Sequence, residues 1–376
     1  MSSSIVNLVY LFAGVLFILG IKGLTKPATA VRGNMLSATG MLIAVVITLL
    51  NSEIVNFTYI IAGVLFGGVV GAFMALRIQM TSMPQMVALL NGFGGGASLT
   101  IASAEYFSVL NIDAHTFADL LQPVALGVDA FGTGAESQVT LVSIGLTILI
   151  GAVTLTGSLV AFAKLQGLVK KNFGLPGGPI GNGLLLIGGL VALGCMIANP
   201  SQAVTVLALI ALALLLGLFL VLPIGGADMP VVIALLNSYS GLAAALAGFI
   251  LGNTVLIVAG SLVGTSGLIL TKIMCVAMNR SLGNVLFGKM AAAGEAVDAD
   301  EIYAGKVTSA QPDEVAMMLE VAKRVVIVPG YGMAMAQAQH AVRELADSME
   351  SKGIEVEYGI HPVAGRLPGH MNVLLA

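Results

Sequence analysis

Two groups of residues in this chain have the types and spacing to do chemistry. The first is Lys323-Arg-Val-Val-Ile-Val-Pro-Gly-Tyr-Gly-Met-Ala-Met-Ala-Gln337, an apolar run, a glycine turn and the start of a helical pattern. Gly330 would make a tight turn. Gly332 would let backbone N–H groups approach a pyrophosphate, and a helix beginning there points its positive end at the anion. The third glycine usual in such loops is replaced near Met335-Ala336. A lone Gly-x-Gly is a weak signal, and an ordinary strand-to-helix turn is the competing reading. A strand before it and a helix after it strengthen the nucleotide reading.

The second group is polar and sits in apolar surroundings. Met83-Pro-Gln-Met-Val-Ala-Leu-Leu-Asn-Gly-Phe-Gly-Gly95 aligns with Met229-Pro-Val-Val-Ile-Ala-Leu-Leu-Asn-Ser-Tyr-Ser-Gly241, with seven of thirteen positions identical. Each copy opens a hydrophobic run with Pro in the first helical turn, where its missing N–H is harmless. Asn91 and Asn237 follow seven residues later, about 10 Å along a helix. An amide at that depth needs partners. It either glues two helices together or lines a hydrated path, and the repetition of the pair favours the path. Thr154, Thr156 and Ser158 lie in one neighbouring run, and Ser261, Thr265 and Ser266 in another. Such hydroxyls often bond only their own helix carbonyls. Asp228, just before Met229-Pro230, reads as a helix N-cap and as an ionisable gate at the mouth of the Asn237 helix. We expect Asn91 and Asn237 to line one polar interior, with Ser158, Thr265 and Ser266 nearby.

Composition fixes what positions these residues. The chain is 57% hydrophobic and 9% charged, with 47 Gly, 18 Met and no Trp. A soluble domain carries about 25% charged residues. Abundant Gly suits helices packed closely in lipid. The net charge of -3 suggests no nucleic-acid partner. Cys195 and Cys275 lie in apolar runs and imply neither a disulfide framework nor a metal site.

Nine runs are long enough to span a bilayer, near 4–23, 34–50, 55–76, 84–104, 139–163, 182–198, 202–222, 230–251 and 254–278. Lys22, Lys26, Arg32, Arg77, Lys164, Lys170, Lys171, Arg280 and Lys289 fall on one side, while the alternate loops 51–54, 105–138, 199–201 and 252–253 contain no Lys or Arg. The positive-inside rule then puts the N-terminus outside and the C-terminal region in the cytoplasm. The acidic segment 105–138 reads as an external loop with a short interfacial helix around 116–126. All four His lie outside the spans, and no charged residue lies at mid-membrane, so a proton path here needs water, hydroxyls or a partner chain.

Residues 1–283 therefore read as an all-α membrane domain, 284–311 as a linker and 312–376 as part of an α/β nucleotide domain. In that last part we expect a helix from Pro312 to Ala322, a strand over 324–329, one helix from the glycine turn to Lys352, and a parallel strand over 354–360. The second strand ends Tyr358-Gly-Ile-His361 with no acid at its tip, which permits a 2′-phosphate and hence NADP. Beyond it Ala364, Gly365, Arg366, Leu367 and Pro368 supply a glycine and a cation within reach of phosphate.

Several segments together resemble the beta-subunit family of proton-translocating NAD(P) transhydrogenases. They are Pro329-Gly-Tyr-Gly-Met-Ala-Met-Ala-Gln-Ala-Gln339, Gly359-Ile-His-Pro-Val-Ala-Gly-Arg-Leu-Pro-Gly-His-Met-Asn-Val-Leu-Leu375, Gly225-Gly-Ala-Asp-Met-Pro-Val-Val232, Leu236-Asn-Ser-Tyr-Ser-Gly241 and Met278-Asn-Arg-Ser281. The resemblance runs along the whole chain. It implies nine transmembrane helices followed by a Rossmann-like NADP(H) domain. It also implies hydride transfer of the Si/Re-specific type from NADH, held by an alpha subunit, to NADP+ held here, with protons moving inward across a bacterial inner membrane. A dimer of alpha-beta units is the implied assembly. Gly330, Tyr331, Gly332, Met333, Ala334 and Met335 would contact NADP(H). Asn91, Ser158, Asp228 and Asn237 match positions linked to proton translocation. Some members carry His where this chain has Asn91, so the resemblance points to a protonatable relay on the alpha subunit. The resemblance also implies further strands past Ala376, carrying a Gly-Ala-Asn-Asp loop and a Lys-Arg-Ser segment for the 2′-phosphate. On that reading the chain ends mid-domain and is expected to bind NADP(H) weakly and to be inactive alone. The rival readings are a nucleotide-regulated channel or transporter, and an inactive fragment that only assembles with partners.

Overall fold

The computed structural model describes residues 3–24, 27–51, 57–78, 82–110, 135–169, 178–278, 280–287, 310–361, 364 and 370–375. Among them nine helices are long and apolar enough to cross a membrane. They are α1 (Ser3–Leu24), α2 (Pro27–Asn51), α3 (Phe57–Arg77), α4 (Met83–Leu110), α5 (Ala135–Leu165), α6 (Pro179–Ala198), α7 (Ala203–Val221), α8 (Met229–Ile250) and α9 (Thr254–Ala277). Hydrocarbon offers the backbone no hydrogen-bond partners, so apolar runs of this length must satisfy their own amides as helices. Two helices outrun their apolar stretches. α2 starts at Pro27 and takes in Arg32, and α4 runs on through Glu105 to Leu110. Hydropathy marks the hydrocarbon-crossing part alone, and both helices continue into the interface. The proposed interfacial helix at 116–126 lies outside the described residues.

α5 and α8 form the centre. Of their spanning stretches 61% and 67% is buried, against 0% for α3. The packed interior divides into two apolar clusters. One uses Leu99–Leu110 of α4 and Leu141–Val153 of α5 with α6 and α7. The other uses Ala88 of α4, Val160–Leu165 of α5 and Met229–Leu236 of α8 with the end of α9. Buried residues on α4 recur as Ala88, Asn91, Gly92, Gly95, Ser98, Leu99, Ala102 and Tyr106, the stripe of a helix with one packed face.

Small residues set the helix separations. A Cβ added at Gly95 would lie 2.8 Å from Gly151 O, and one at Gly248 would lie 3.0 Å from Asn253 O. A Cβ at Gly241 would lie 2.8 Å from Gly260 O, and the α8/α9 contact continues through Gly264 and Gly267. Ser238 Oγ uses this closeness to donate to Gly264 O at 2.7 Å. Gly241→Leu should therefore separate α8 from α9. The expected cost is about 1–3 kcal/mol, the scale of overpacking a tight interface, seen as an earlier thermal transition in detergent.

The first and second copies of the repeat are parallel neighbours. A Cβ at Gly94 would lie 2.6 Å from Ser240 Oγ, and these two residues are equivalent positions of the repeat. After α9 the chain makes α10 (Leu282–Phe287).

The C-terminal part holds α11 (Pro312–Glu320), β1 (Arg324–Ile327), α12 (Tyr331–Met335), α13 (Gln339–Ser351), β2 (Glu355–Tyr358) and α14 (His370–Leu375). Glu314 Oε2 accepts the Gln311 N–H at 3.1 Å, closing the start of α11. The strands pair in parallel, with Arg324 opposite Glu355 and Ile327 opposite Tyr358. Arg324 also donates to Glu357 at 2.5 Å.

The single helix expected between the strands is two. Ala338 N–H bonds Met333 O at 3.0 Å, Gln337 N–H bonds Ala334 O at 3.2 Å, and Gln337 takes φ 52. This pattern ends a helix, normally with glycine at the left-handed residue. Gln is rarely found there, so the sequence carries no stop signal. Gly353, with φ 84, ends α13 as expected.

Candidate functional site

Between the two apolar clusters lies a layer of small and polar side chains. Asn91, Gly92, Gly95 and Ser98 come from α4, Thr154 and Ser158 from α5, and Ser238 from α8; all are buried. Thr154 Oγ1 donates to Ile150 O at 2.7 Å and Ser98 Oγ to Gly94 O at 3.1 Å, each within its own helix. Those two hydroxyls are accounted for locally.

Asn91 and Ser158 are not. Asn91 Nδ2 crosses to α8 and donates to Ile233 O at 3.3 Å. In a helix that carbonyl is also the acceptor for the N–H four residues on, that of Asn237. The first repeat's amide thus reaches the turn of α8 that carries the second. Asn237 itself is half-buried. Ser158 is fully buried, and among the described residues its hydroxyl has no hydrogen-bond partner. Its Cβ packs 3.3 Å from where a Cβ on Gly92 would sit, next to Asn91. A buried hydroxyl without a partner is costly.

Thr265 and Ser266 do not join this layer. Both are exposed on α9, and Ser266 Oγ donates back to Val263 O at 2.9 Å. The reason is helical phase. Gly264 and Gly267 hold the stripe facing α8, so the two residues between them turn outward.

Asp228 closes one end of the layer's helix. It occupies the N-cap position of α8 but makes no capping bond with its side chain, because its backbone is already right-handed at φ -89 and ψ -5. A capping carboxylate needs an extended backbone to reach back. The cap reading of the sequence is therefore corrected. The carboxylate is only 3% exposed. Its Oδ2 lies 3.4 Å from Arg280 Nη1, while Oδ1 has no hydrogen-bond partner among the described residues. Sequence reasoning used Arg280 only to orient the chain and missed this pairing. Lys164, also read only as an orienting charge, donates to the carbonyls of Leu222 and Ile224 just before the Asp228 turn.

The glycine turn sits where β1 and β2 both end, with Gly359 N–H bonding Ile327 O at 2.9 Å. Ligands of parallel sheets bind at that edge. Gly330 is extended, with φ -105 and ψ 175. A Cβ at Gly330 or Gly332 would meet no atom within 4 Å. Nothing within the described chain therefore demands glycine at either position, and the space in front of the backbone is open. Met333 N–H bonds Gly330 O at 3.1 Å as α12 begins. The helix behind the turn has five residues, so its dipole is weaker than that of the long helix expected. Ala334 is buried behind the turn, and α14 packs on α12 and α13. Tyr331, Met333 and Ala364 are half-buried; Gly365, Arg366, Leu367 and Pro368 lie outside the described residues.

Comparison with known proteins covers the same ground. Residues 6–376 match the family described as NAD(P) transhydrogenase beta subunit. A sequence named NAD(P) transhydrogenase subunit beta from Rhodospirillum rubrum is 44% identical over 383 aligned residues, which is 100% of this chain and 78% of that protein. A second of the same name, from a designated strain of Rhodospirillum rubrum, has the same identity and coverage.

Proposed function

The chain belongs to the NAD(P) transhydrogenase beta-subunit family, and on that premise we propose that it couples hydride transfer between NADH and NADP+ to inward proton movement across a bacterial inner membrane. The family and the nine spanning helices make it the membrane subunit of a NAD(P) transhydrogenase. The beta-subunit name implies an alpha partner. In our reading the alpha subunit holds NAD(H), residues 312–376 contribute to a Rossmann-like NADP(H) site, and two alpha-beta units form a dimer.

The roles divide by position. Backbone N–H groups at Gly330 and Gly332 bind pyrophosphate, which the open space before both glycines supports. The hydride is exchanged between the two nicotinamides, which supply that chemistry when bound. The membrane residues hold and pass a proton. Asp228 is the ionisable group at the cytoplasmic mouth. Asn91, Ser158 and Asn237 order the polar interior above it, where neutral amides and hydroxyls relay through water. The observation that carries this reading is Asn91 Nδ2 crossing to Ile233 O, beside the fully buried Ser158 whose hydroxyl has no partner among the described residues. Thr265 and Ser266 face away from that interior, and we assign them no part in it.

The enzyme reading is tested by assembling the chain with its alpha partner and following NADPH-dependent reduction of an NAD analogue. Turnover that needs both subunits is expected; nucleotide-gated ion flux without hydride transfer would replace the reading with a regulated channel. Orientation has its own test. An Ala130→Cys chain lacking Cys195 and Cys275 should react with an impermeant maleimide from outside intact cells. Reaction only from the cytoplasmic side would reverse the proposed topology.

A further inference from the structure

Lys164 ends α5, and its ammonium is spent on backbone that belongs to a different part of the chain. Its Nζ donates to Ile224 O at 2.7 Å and also to Leu222 O. These carbonyls lie just past the C-terminus of α7, at the start of Leu222-Pro-Ile-Gly-Gly-Ala-Asp228. That connection is packed at its start, where Ile224 is buried in the apolar cluster of α5, α8 and α9 and Leu222 packs against it, but its backbone has few hydrogen-bond partners. Pro223 has no N–H to give, and Gly225 and Gly226 have no side chains to pack. A Cβ at Gly226 would meet nothing within 4 Å. Its internal backbone bonds are Ile224 N–H to Val221 O and Asp228 N–H to Gly225 O, both 3.1 Å. The ammonium adds to that packing the side-chain hydrogen bonds that tie the carbonyls of the turn to the end of α5.

The same end of α5 is gripped from the other side. Gln85, buried in the first turn of α4, donates to Leu165 O at 3.4 Å. The last turn of α5 thus joins the start of the Asn91 helix to the turn that delivers Asp228. Arg280 meets the Asp228 carboxylate directly, and Lys164 reaches it through the backbone.

We propose that Lys164 is a positioning residue that pins the Leu222–Asp228 turn and so sets where the Asp228 carboxylate stands relative to Arg280 and the polar layer. A lysine suits the task because three donors on one flexible stem can serve two carbonyls. The assignment rests on the functional reading of Asp228 above.

The test uses the chain assembled with its alpha partner in vesicles, with Lys164→Met, Lys164→Arg, Asp228→Asn and the Lys164→Met/Asp228→Asn pair. Lys164→Met should lower NADPH-driven turnover about tenfold or more, the scale of a lost charge-assisted bond. Lys164→Arg should restore most of it. In the Asp228→Asn background Lys164→Met should cost little further, because it acts through that carboxylate. A second readout is local. A Gly226→Cys chain lacking Cys195 and Cys275 should react faster with an impermeant maleimide when Lys164 is Met. Should the Met variant fail to assemble, Lys164→Gln, which keeps an amide donor, makes the same comparisons. Unchanged turnover and labelling, or losses that multiply in the pair, would overturn the assignment. A wild-type enzyme that turns over without moving protons would instead refute the functional reading, while the labelling still judges Lys164.

Discussion

Asp228→Asn is expected to lower transhydrogenation by about a hundredfold or more, the contribution typical of a group that gives and takes a proton, while leaving the protein folded. The second half of that expectation comes from the geometry of the pair. Asp228 is 4% exposed at its side chain and Arg280 44%. Losing the carboxylate's charge frees a guanidinium that can turn to water. Losing the guanidinium leaves a buried carboxylate with one oxygen already without a partner among the described residues. Arg280→Ala should therefore destabilise more than Asp228→Asn, by about 1–3 kcal/mol for the stranded group. Thermal denaturation in detergent measures the difference, and turnover measures the function. A protein in which Asp228→Asn unfolds and Arg280→Ala does not would show that the carboxylate is a structural group.

Gly332→Val is expected to weaken NADPH binding about tenfold or more with little change in stability. The two effects separate because of where the space is. A Cβ at Gly332 meets no atom of the described chain within 4 Å, and Val is no worse than Gly in a helix, so the fold accepts it. A dinucleotide would not, because its pyrophosphate must come close to the backbone there. Losing one or two hydrogen bonds to a charged group costs about 1.5–3 kcal/mol each, so even one lost bond weakens binding about tenfold or more. Calorimetric titration with NADPH on the enzyme assembled from both subunits checks it. Unchanged affinity would mean that the turn at the end of β1 faces something other than the nucleotide.

The spans were legible because hydrophobic length is a local property. Each helix core can be read from its own twenty or so residues, and only the ends, as at Pro27 and Leu110, needed the structure. The repeat was legible for a similar reason. Asn91 and Asn237 hold equal positions after equal starts, and α4 and α8 do lie side by side with Gly94 against Ser240. What failed was phase and pairing. Thr265 and Ser266 sit between glycines that pack against α8, and the Gly260, Gly264, Gly267 spacing could have shown which face turns inward. The Arg280 partner of Asp228 lies fifty-two residues away along the chain, and the Lys164 contacts about sixty, so neither leaves a trace in local pattern. The break at Gln337 was invisible because it uses a residue that rarely takes a left-handed backbone. Ser158 could be picked as polar in apolar surroundings, but that its hydroxyl lacks a partner among the described residues is a fact of three packed helices.

As proposed, proton movement is tied to hydride transfer through the interior shared by α4, α5 and α8 of this membrane subunit. The chain and its alpha partner in sealed vesicles loaded with a pH-sensitive dye test it most directly, with proton movement and reduction of an NAD analogue by NADPH recorded together. Protons are expected to cross in a fixed ratio to hydrides transferred, with both falling together in Asp228→Asn. Hydride transfer at full rate with no proton movement, in vesicles shown to be tight, would contradict it.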